Sequence, residues 1–310
     1  MTHTHSHSHS HSHSHSHSHA PADYSRAFMI GVALNTAFVI TEAVYGFSAN
    51  SLALISDAGH NLSDVMGLLL AWGAIRLSRS RPTARRTYGL RRSSILAALA
   101  NAAMLLFVTG AITVEAVRRL WNPTPVVAST IMWVAAVGVL INGATAALFA
   151  SGRKSDINVR AAFAHMASDA LIALGVVVTG FGIRATGWLW LDPVASIAIG
   201  LVIAVGTWSL FRESVNLAMD AVPENVDAEA VESLLGSIDG VSAVHDLHIW
   251  AMSTTETCLT AHLVAPAGLE DKTLAFARTE LREHFGIGHS TIQVERSGEA
   301  PCEQADEGAV

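Results

Sequence analysis

The sequence predicts a bundle of six membrane-spanning helices followed by a small α+β domain, and three observations predict it. Apolar residues make up 51% of the 310-residue chain and charged residues 15%, against roughly 25% charge in ordinary soluble domains. Six apolar segments lie at roughly 27–47, 52–76, 94–117, 126–150, 161–184 and 191–211. Each is close to the ~20 residues that cross ~30 Å of hydrocarbon as a helix. Charge then divides the chain: residues 1–213 hold 15 Lys/Arg and 9 Asp/Glu, whereas 214–310 hold 4 and 17, within a net charge of −7. Apolar content argues against disorder over most of the length, and so little charge argues against a simple cytosolic enzyme. The acidic end repels nucleic acid and suits cations. Two cysteines, Cys258 and Cys302, are too few for a disulfide framework.

The chain opens on a low-complexity arm, residues 1–25, in which His3, His5, His7, His9, His11, His13, His15, His17 and His19 alternate mostly with serine. It has no apolar face to pack and no apolar centre that would make it a secretory signal. It is either a tethered metal-gathering arm, since neutral imidazole binds zinc-like ions, or a dispensable tract. The membrane part is expected over 26–213. Its segments are too long and continuous for barrel strands, so they are read as helices. Punctuation falls between them: Ser48-Ala49-Asn50-Ser51 after the first, Asn122-Pro123-Thr124-Pro125 after the third, Ser151-Gly152 after the fourth.

Basic residues set the orientation. Arg26, Arg212, the seven arginines of the segment 2–3 loop (Arg76, Arg79, Arg81, Arg85, Arg86, Arg91, Arg92) and Arg153, Lys154 and Arg160 fall on one side. Only Arg118, Arg119 and Arg184 fall on the other. A ratio of 12 to 3 places both termini in the cytoplasm of a multi-pass inner-membrane protein. Both thiols then face a reducing compartment. Residues 214–296 read as a helix (227–238), two strands (241–252, 257–264), a helix ending at Gly286 (270–285) and a strand (291–295). That order, αββαβ, is a small layered domain of ferredoxin-like type, with 297–310 as a flexible acidic end.

Chemistry is expected where charge enters the membrane, because a buried ionisable group there costs roughly 2.5–3.5 kcal/mol on insertion scales. The second segment carries Asp57, His60 and Asp64, and the fifth carries His165 and Asp169. Both show His-x-x-x-Asp, and residues four apart share a helix face. Two facing helices then offer His60, Asp64, His165 and Asp169 to one point. Four N/O ligands suit tetrahedral Zn²⁺; Co²⁺ fits too and Cd²⁺ less well, while two imidazoles argue against Mg²⁺ and Ca²⁺. Asp57, one turn before His60, either orients that imidazole or lines a water-filled vestibule. Asn35, Glu42, Asn101, Glu115, Asn142 and Asp192 either bridge helices, the main reading, or carry water or protons, and Gly67, Gly175 and Gly180 are read as close-packing positions. In the tail, His245 and His262 fall on adjacent strands, with His289 before a third, so a shared site is geometrically allowed. Exposed histidines without a metal role are the alternative. His245 and His248, three apart, are expected on opposite faces of their strand, and His248 and His284 are read as surface residues.

The run Ser-Leu-Ala-Leu-Ile-Ser-Asp-Ala-Gly-His-Asn-Leu-Ser-Asp (51–64) resembles the second transmembrane helix of cation diffusion facilitators. Residues 85–101 resemble their segment 2–3 loop and third helix, and Val-His-Asp-Leu-His-Ile-Trp-Ala-Met (244–252) and His-Ser-Thr-Ile-Gln-Val-Glu (289–295) their cytoplasmic domain. Ala-Pro-Cys-Glu-Gln-Ala-Asp (300–306) is similar to the bacterial cobalt–zinc–cadmium resistance branch. The resemblance implies a homodimer of six-helix protomers in the lipid bilayer, exporting divalent transition metal from the cytosol in exchange for protons. It implies a transport site at His60, Asp64, His165 and Asp169. It also implies cytoplasmic metal sites at His245, His262, His289 and Glu295, with Cys302 a weaker candidate. Some relatives bind metal in the segment 2–3 loop through Asp and His, but residues 77–93 here contain no His, Asp, Glu or Cys. The arginines there are expected to face anionic lipid or the acidic tail.

On this reading the imidazoles bind metal only when neutral and the carboxylates only when ionised, so binding releases protons. Metal on the tail would relieve its negative charge and tighten the dimer. Three other classes compete: a membrane-anchored metal buffer or sensor, a passive channel, and an intramembrane metalloenzyme. The last would need a His-Glu-x-x-His type motif, which the sequence lacks.

Overall fold

The computed structural model describes residues 25–150, 157–265 and 271–296; the nine histidines of the arm and Cys302 lie outside them. Six long helices come first: α1 (Ser25–Ser48), α2 (Leu52–Ser78), α3 (Ser93–Trp121), α4 (Ala128–Phe149), α5 (Ile157–Thr186) and α6 (Leu191–Ala218). A second unit follows: α7 (Ala228–Gly236), β1 (Ala243–Ser253), β2 (Glu256–Ala265), α8 (Asp271–Phe285) and β3 (Ile287–Arg296).

The helical part is a membrane domain with its polarity turned inward. Large apolar side chains such as Phe107, Leu140, Val205 and Trp133 face outward, while Glu42, Asp57, Asn61, Asn142, Asp169 and Asp192 are buried. Water would not tolerate that outer surface, and lipid does. Four helices, Ser93–Trp121, Ala128–Phe149, Phe163–Thr186 and Leu191–Ala218, are long and apolar enough to cross a membrane. Polar Ser56, Asp57, His60, Asn61, Ser63 and Asp64 keep the hydropathy of α2 lower.

Helices pair as α4 with α5, α3 with α6, and α2 with both α1 and α3. Small residues permit the closest approaches. A Cβ on Gly180 would lie 2.9 Å from the Met132 nitrogen of α4, and one on Gly200 would lie 2.8 Å from Thr113 Oγ1 of α3. Gly67 likewise abuts Asn101, but Gly175 meets nothing within 4 Å, so the expected packing role fails there. Alanine in place of a mid-helix glycine ordinarily stabilises by roughly 1 kcal/mol. At position 180 the new methyl would meet backbone that cannot yield, at a cost of about 1–3 kcal/mol. Gly180→Ala is therefore expected to lower the thermal unfolding midpoint in detergent, and Gly175→Ala to leave or raise it.

A carboxylate from α6 fixes the start of α2. The Ser51 side chain accepts from the Leu54 N–H (3.2 Å) as the N-cap. Asp192 accepts from the Ser51 hydroxyl, from the Leu52 N–H at 2.8 Å and from the Ala53 N–H at 3.4 Å. N–H groups that a helix start leaves without partners are thus met by a charged acceptor, and the α2 register is tied to α6. Asp192 is a bridging group, as the sequence suggested.

The second unit follows the predicted order αββαβ, with β2 central, β1 antiparallel to it and β3 parallel. Its sheet has three strands among the described residues, fewer than the βαββαβ ferredoxin-like pattern supplies. Val231 and Leu235 of α7, Leu281 of α8, Ile249, Leu259, Leu263 and Ile287 form the core. The third strand begins four residues earlier than the sequence predicts. Gly286, at φ +68°, ends α8 and turns the chain straight into pairing at Ile287↔Thr257.

The α2–α3 loop is stapled to this unit. Arg91 pairs with Glu256 (2.6 Å), Arg92 with Asp220, and the Thr254 N–H donates to Ser94 Oγ (3.1 Å). Of the two roles expected for the loop arginines, Arg91 and Arg92 take the contact with the tail. Nearby Cys258 is fully buried on β2. Burial, and then the Glu256 charge, push its thiol above the ordinary range, so it stays protonated and inert at neutral pH.

Candidate metal centre

The second and fifth helices run antiparallel and bring both His-x-x-x-Asp faces together. His60 Nε2 lies 3.8 Å from Asp64 Oδ2 and 3.5 Å from Asp169 Oδ1. His165 Nε2 lies 3.5 Å from Asp64 Oδ2 and 3.7 Å from Asp169 Oδ2. Imidazole and carboxylate alternate around a closed ring. Tetrahedral zinc with bonds of about 2.0–2.2 Å holds its ligand atoms about 3.3–3.6 Å apart. The four observed edges come within a few tenths of an ångström of that and are long for direct hydrogen bonds; the ligand atoms that all lie within 4.8 Å of one another are those of Asp64, His165 and Asp169, with His60 joined to them through the two carboxylates.

Environment supports the same chemistry. Asp169 is 1% exposed, and its two oxygens, with Asp64 Oδ2, are buried without a hydrogen-bond donor. Donor-free buried carboxylate oxygens fit a cation. The His165 side chain is 43% exposed and that of Asp64 29%, so the ring is open on one side and closed on the other. The rings of His60 and His165 meet edge to face at 6.2 Å, and both Nε2 atoms lie on the carboxylate oxygens of Asp64 and Asp169.

Asp57 is 1% exposed, and neither of its oxygens has a hydrogen-bond partner among the described residues. Asn101 bridges α2 and α3, accepting from Ser63 Oγ at 3.4 Å. Glu115 pairs with Arg118 and Arg119.

The tail holds a second cluster. His245 faces His262 directly across β1 and β2, and Glu295 comes from β3. His262 Nδ1 lies 2.8 Å from Glu295 Oε1, and His245 Nε2 lies 3.3 Å from Glu295 Oε2. One ligand atom from each of the three lies within 4.8 Å of the others.

Two sequence expectations change here. His289 does not join the cluster. It pairs with Cys258 near the start of β3, six residues before Glu295 and so roughly 20 Å along the strand. Its ring rests on Tyr88 of the α2–α3 loop at 6.2 Å. His248, by contrast, shares the face of His245. A bulge between them, with Asp246 at φ +50°, inserts one residue and resets the alternation. Asp246 then lies 2.8 Å from His248 Nε2 and 3.5 Å from His262 Nε2. Sequence reasoning missed Asp246. The signal was present in Val244, Leu247 and Ile249, which all pack on the core although an unbroken strand would turn Val244 to the face opposite Leu247 and Ile249. Among the described residues His284 pairs with Glu280 on the α8 surface, as expected of a surface residue.

Comparison with known proteins supplies the family. Residues 28–217 match the cation efflux transmembrane domain and residues 223–297 the cytoplasmic domain of cation efflux proteins. The metal cation efflux system protein CzcD of Cupriavidus metallidurans is 40% identical over 289 residues, 92% of this chain and 90% of that protein. The zinc transporter ZitB of Escherichia coli is 36% identical over 285 residues, 91% and 90% of the two chains. A cadmium, cobalt and zinc/H(+)-K(+) antiporter of Bacillus subtilis is 34% identical over 278 residues, 87% and 88%.

Proposed function

This chain belongs to the cation diffusion facilitator family of cation efflux proteins, and from that premise we propose that it exports Zn²⁺ from the cytosol in exchange for protons. A divalent-metal efflux transporter is the coarser statement that its relatives already support. The observation that carries the finer one is the alternating ring of His60, Asp64, His165 and Asp169, with edges of 3.5–3.8 Å. Two imidazoles and two carboxylates favour Zn²⁺ and admit Co²⁺; Cd²⁺ is larger and softer and fits less well.

All six helices span the bilayer in this proposal, with both termini in the cytoplasm and the protein acting as a homodimer. Metal enters from the open His165 side. Neutral imidazoles and ionised carboxylates receive it, so protons leave as it binds. Rocking of the helices turns the site outward, where arriving protons occupy the same atoms and release the metal. On the tail, His245, His262 and Glu295 hold a regulatory ion, with Asp246 as a further ligand oxygen beside His262. Bound cation offsets the excess negative charge of residues 214–310 and steadies the dimer. Stapling through Arg91, Arg92 and Ser94 carries that state to α3. The histidine arm gathers metal at the entrance.

Vesicles containing the purified chain test the proposal. With an acidic lumen they are expected to accumulate zinc, and a protonophore to abolish the accumulation. Metal that stays on the outer surface and washes off with a chelator would instead mark a membrane-anchored buffer. Flux indifferent to the pH gradient would mark a channel.

A further inference from the structure

The α2–α3 loop carries a basic surface that metal chemistry does not use. Arg91 and Arg92 go to the tail, on Glu256 and Asp220. Arg76 in the last turn of α2, and Arg79, Arg81, Arg85 and Arg86 beyond it, are all exposed. None of these five meets a carboxylate among the described residues, and residues 77–93 supply none of their own. Like charges crowded into residues 76–86 repel one another, so the arrangement favours an anion.

The loop holds these side chains out on a fixed frame. Thr83 and Arg86 exchange both backbone hydrogen bonds at 3.0 Å, and the Arg86 N–H also reaches Thr83 Oγ1 at 3.1 Å. The Gly89 N–H donates to the Arg86 carbonyl at 2.9 Å. Gly89, at φ +71°, passes so close to the Ser80 carbonyl that a Cβ would lie 3.1 Å from it. The Ser93 hydroxyl ties the far end of the loop to the Ala74 carbonyl of α2 at 3.2 Å. These bonds use backbone and hydroxyl groups, which leaves the guanidinium forks for an outside partner.

Lipid is the neighbour beside this surface. Leu68, Leu69 and Trp72 face outward along the last turns of α2. At its other end the loop opens into α3, which is long and apolar enough to cross a membrane. Arg76 Cζ stands 5.2 Å over the Trp72 ring. An outward tryptophan capped by a long basic side chain is the pattern of the hydrocarbon edge. We propose that Arg76, Arg79, Arg81, Arg85 and Arg86 bind the phosphates of anionic phospholipids in the leaflet on the tail side. Arg79, about 4.5 Å further along than Arg76, and the turn at 81–86 lie at the depth of the headgroups. Guanidinium groups take phosphate oxygens in pairs, and an anionic headgroup, unlike a zwitterionic one, carries net charge to offset theirs. The same loop continues α2 and is stapled to the tail, so bound lipid anchors the join between the two units. The inference goes beyond metal export and holds whichever ion is carried.

The full chain in phosphatidylcholine vesicles, probed with a trace of spin-labelled phosphatidylglycerol or spin-labelled phosphatidylcholine, tests this. Electron spin resonance separates lipid held on the protein from free lipid and gives the relative affinity of the two probes. The wild type is expected to prefer phosphatidylglycerol by about twofold or more, averaged over its lipid shell, and high salt to shrink the preference. A chain carrying Arg79→Gln, Arg81→Gln, Arg85→Gln and Arg86→Gln together is expected to lose most of it. Arg184→Gln removes an exposed arginine at the other end of the bundle and is expected to leave the preference in place. All five positions are exposed, so elution as wild type checks that the fold survives. A wild type with no preference, or a quadruple variant that keeps it, would overturn the proposal. So would a preference that emerges only when residues 297–310 are deleted, which would assign these arginines to the chain's own acidic end.

Discussion

Asp169→Ala is expected to abolish metal transport, lowering the vesicle rate by more than about 100-fold. This is the largest effect the structure predicts. Asp169 is the buried member of the ring, and it faces both histidines, at 3.5 and 3.7 Å. Losing it removes one ligand, breaks two of the four edges and leaves two imidazoles with a single carboxylate. Water can enter the gap only from the open side, so a substitute ligand is poorly placed. Asp169→Asn keeps the shape and removes the charge, and is expected to lose at least about tenfold. Zinc-dependent fluorescence in vesicles measures both. Protein that elutes as wild type and still binds metal on its tail would show that folding survives. A wild-type transport rate in Asp169→Ala would remove this residue from the site.

Acidification should act in the same direction on the wild type. Both imidazoles must be neutral and both carboxylates ionised to hold the metal, so lowering the pH is expected to weaken metal binding, read as a falling affinity in calorimetry across a pH series.

The second large effect falls on the tail. Glu295→Ala is expected to weaken tail metal binding by about 10–100-fold, because Glu295 reaches both His245 and His262. His289→Ala is expected to leave it unchanged, since that residue lies on Tyr88 at the other end of β3. Calorimetry on the full chain carrying Asp169→Ala, so that only the tail binds, separates the two. Equal losses in both variants would mean that His289 reaches the ion after all. A loss in Asp246→Asn intermediate between them would place Asp246 at the edge of the same site.

How far the sequence revealed this molecule depended on which periodicity carried the information. Helix period and membrane length are robust signals, so the six long helices and the paired His-x-x-x-Asp faces were readable directly. What those faces would meet was also readable, because two ionisable stripes in lipid have little else to face. Strand signals are weaker, and one inserted residue is enough to invert them. The bulge at Asp246 put His248 on the face that strict alternation denied it. His289 shows a different limit. Its place just before the third strand, and the family resemblance, suggested a shared ion, but an extended strand carries His289 about 20 Å from Glu295, more than any single ion spans. Asp57 invited a role as a partner of His60 through helical spacing alone.

X-ray absorption at the zinc edge gives the most direct reading of the membrane site. The protein to use is the full chain with His245→Ala, His262→Ala and Glu295→Ala, loaded with one zinc per protomer. Two imidazole nitrogens and two carboxylate oxygens at about 2.0–2.2 Å are expected, and Asp169→Ala should remove one oxygen. A shell without imidazole, or one made chiefly of water, would contradict the assignment of His60, Asp64, His165 and Asp169.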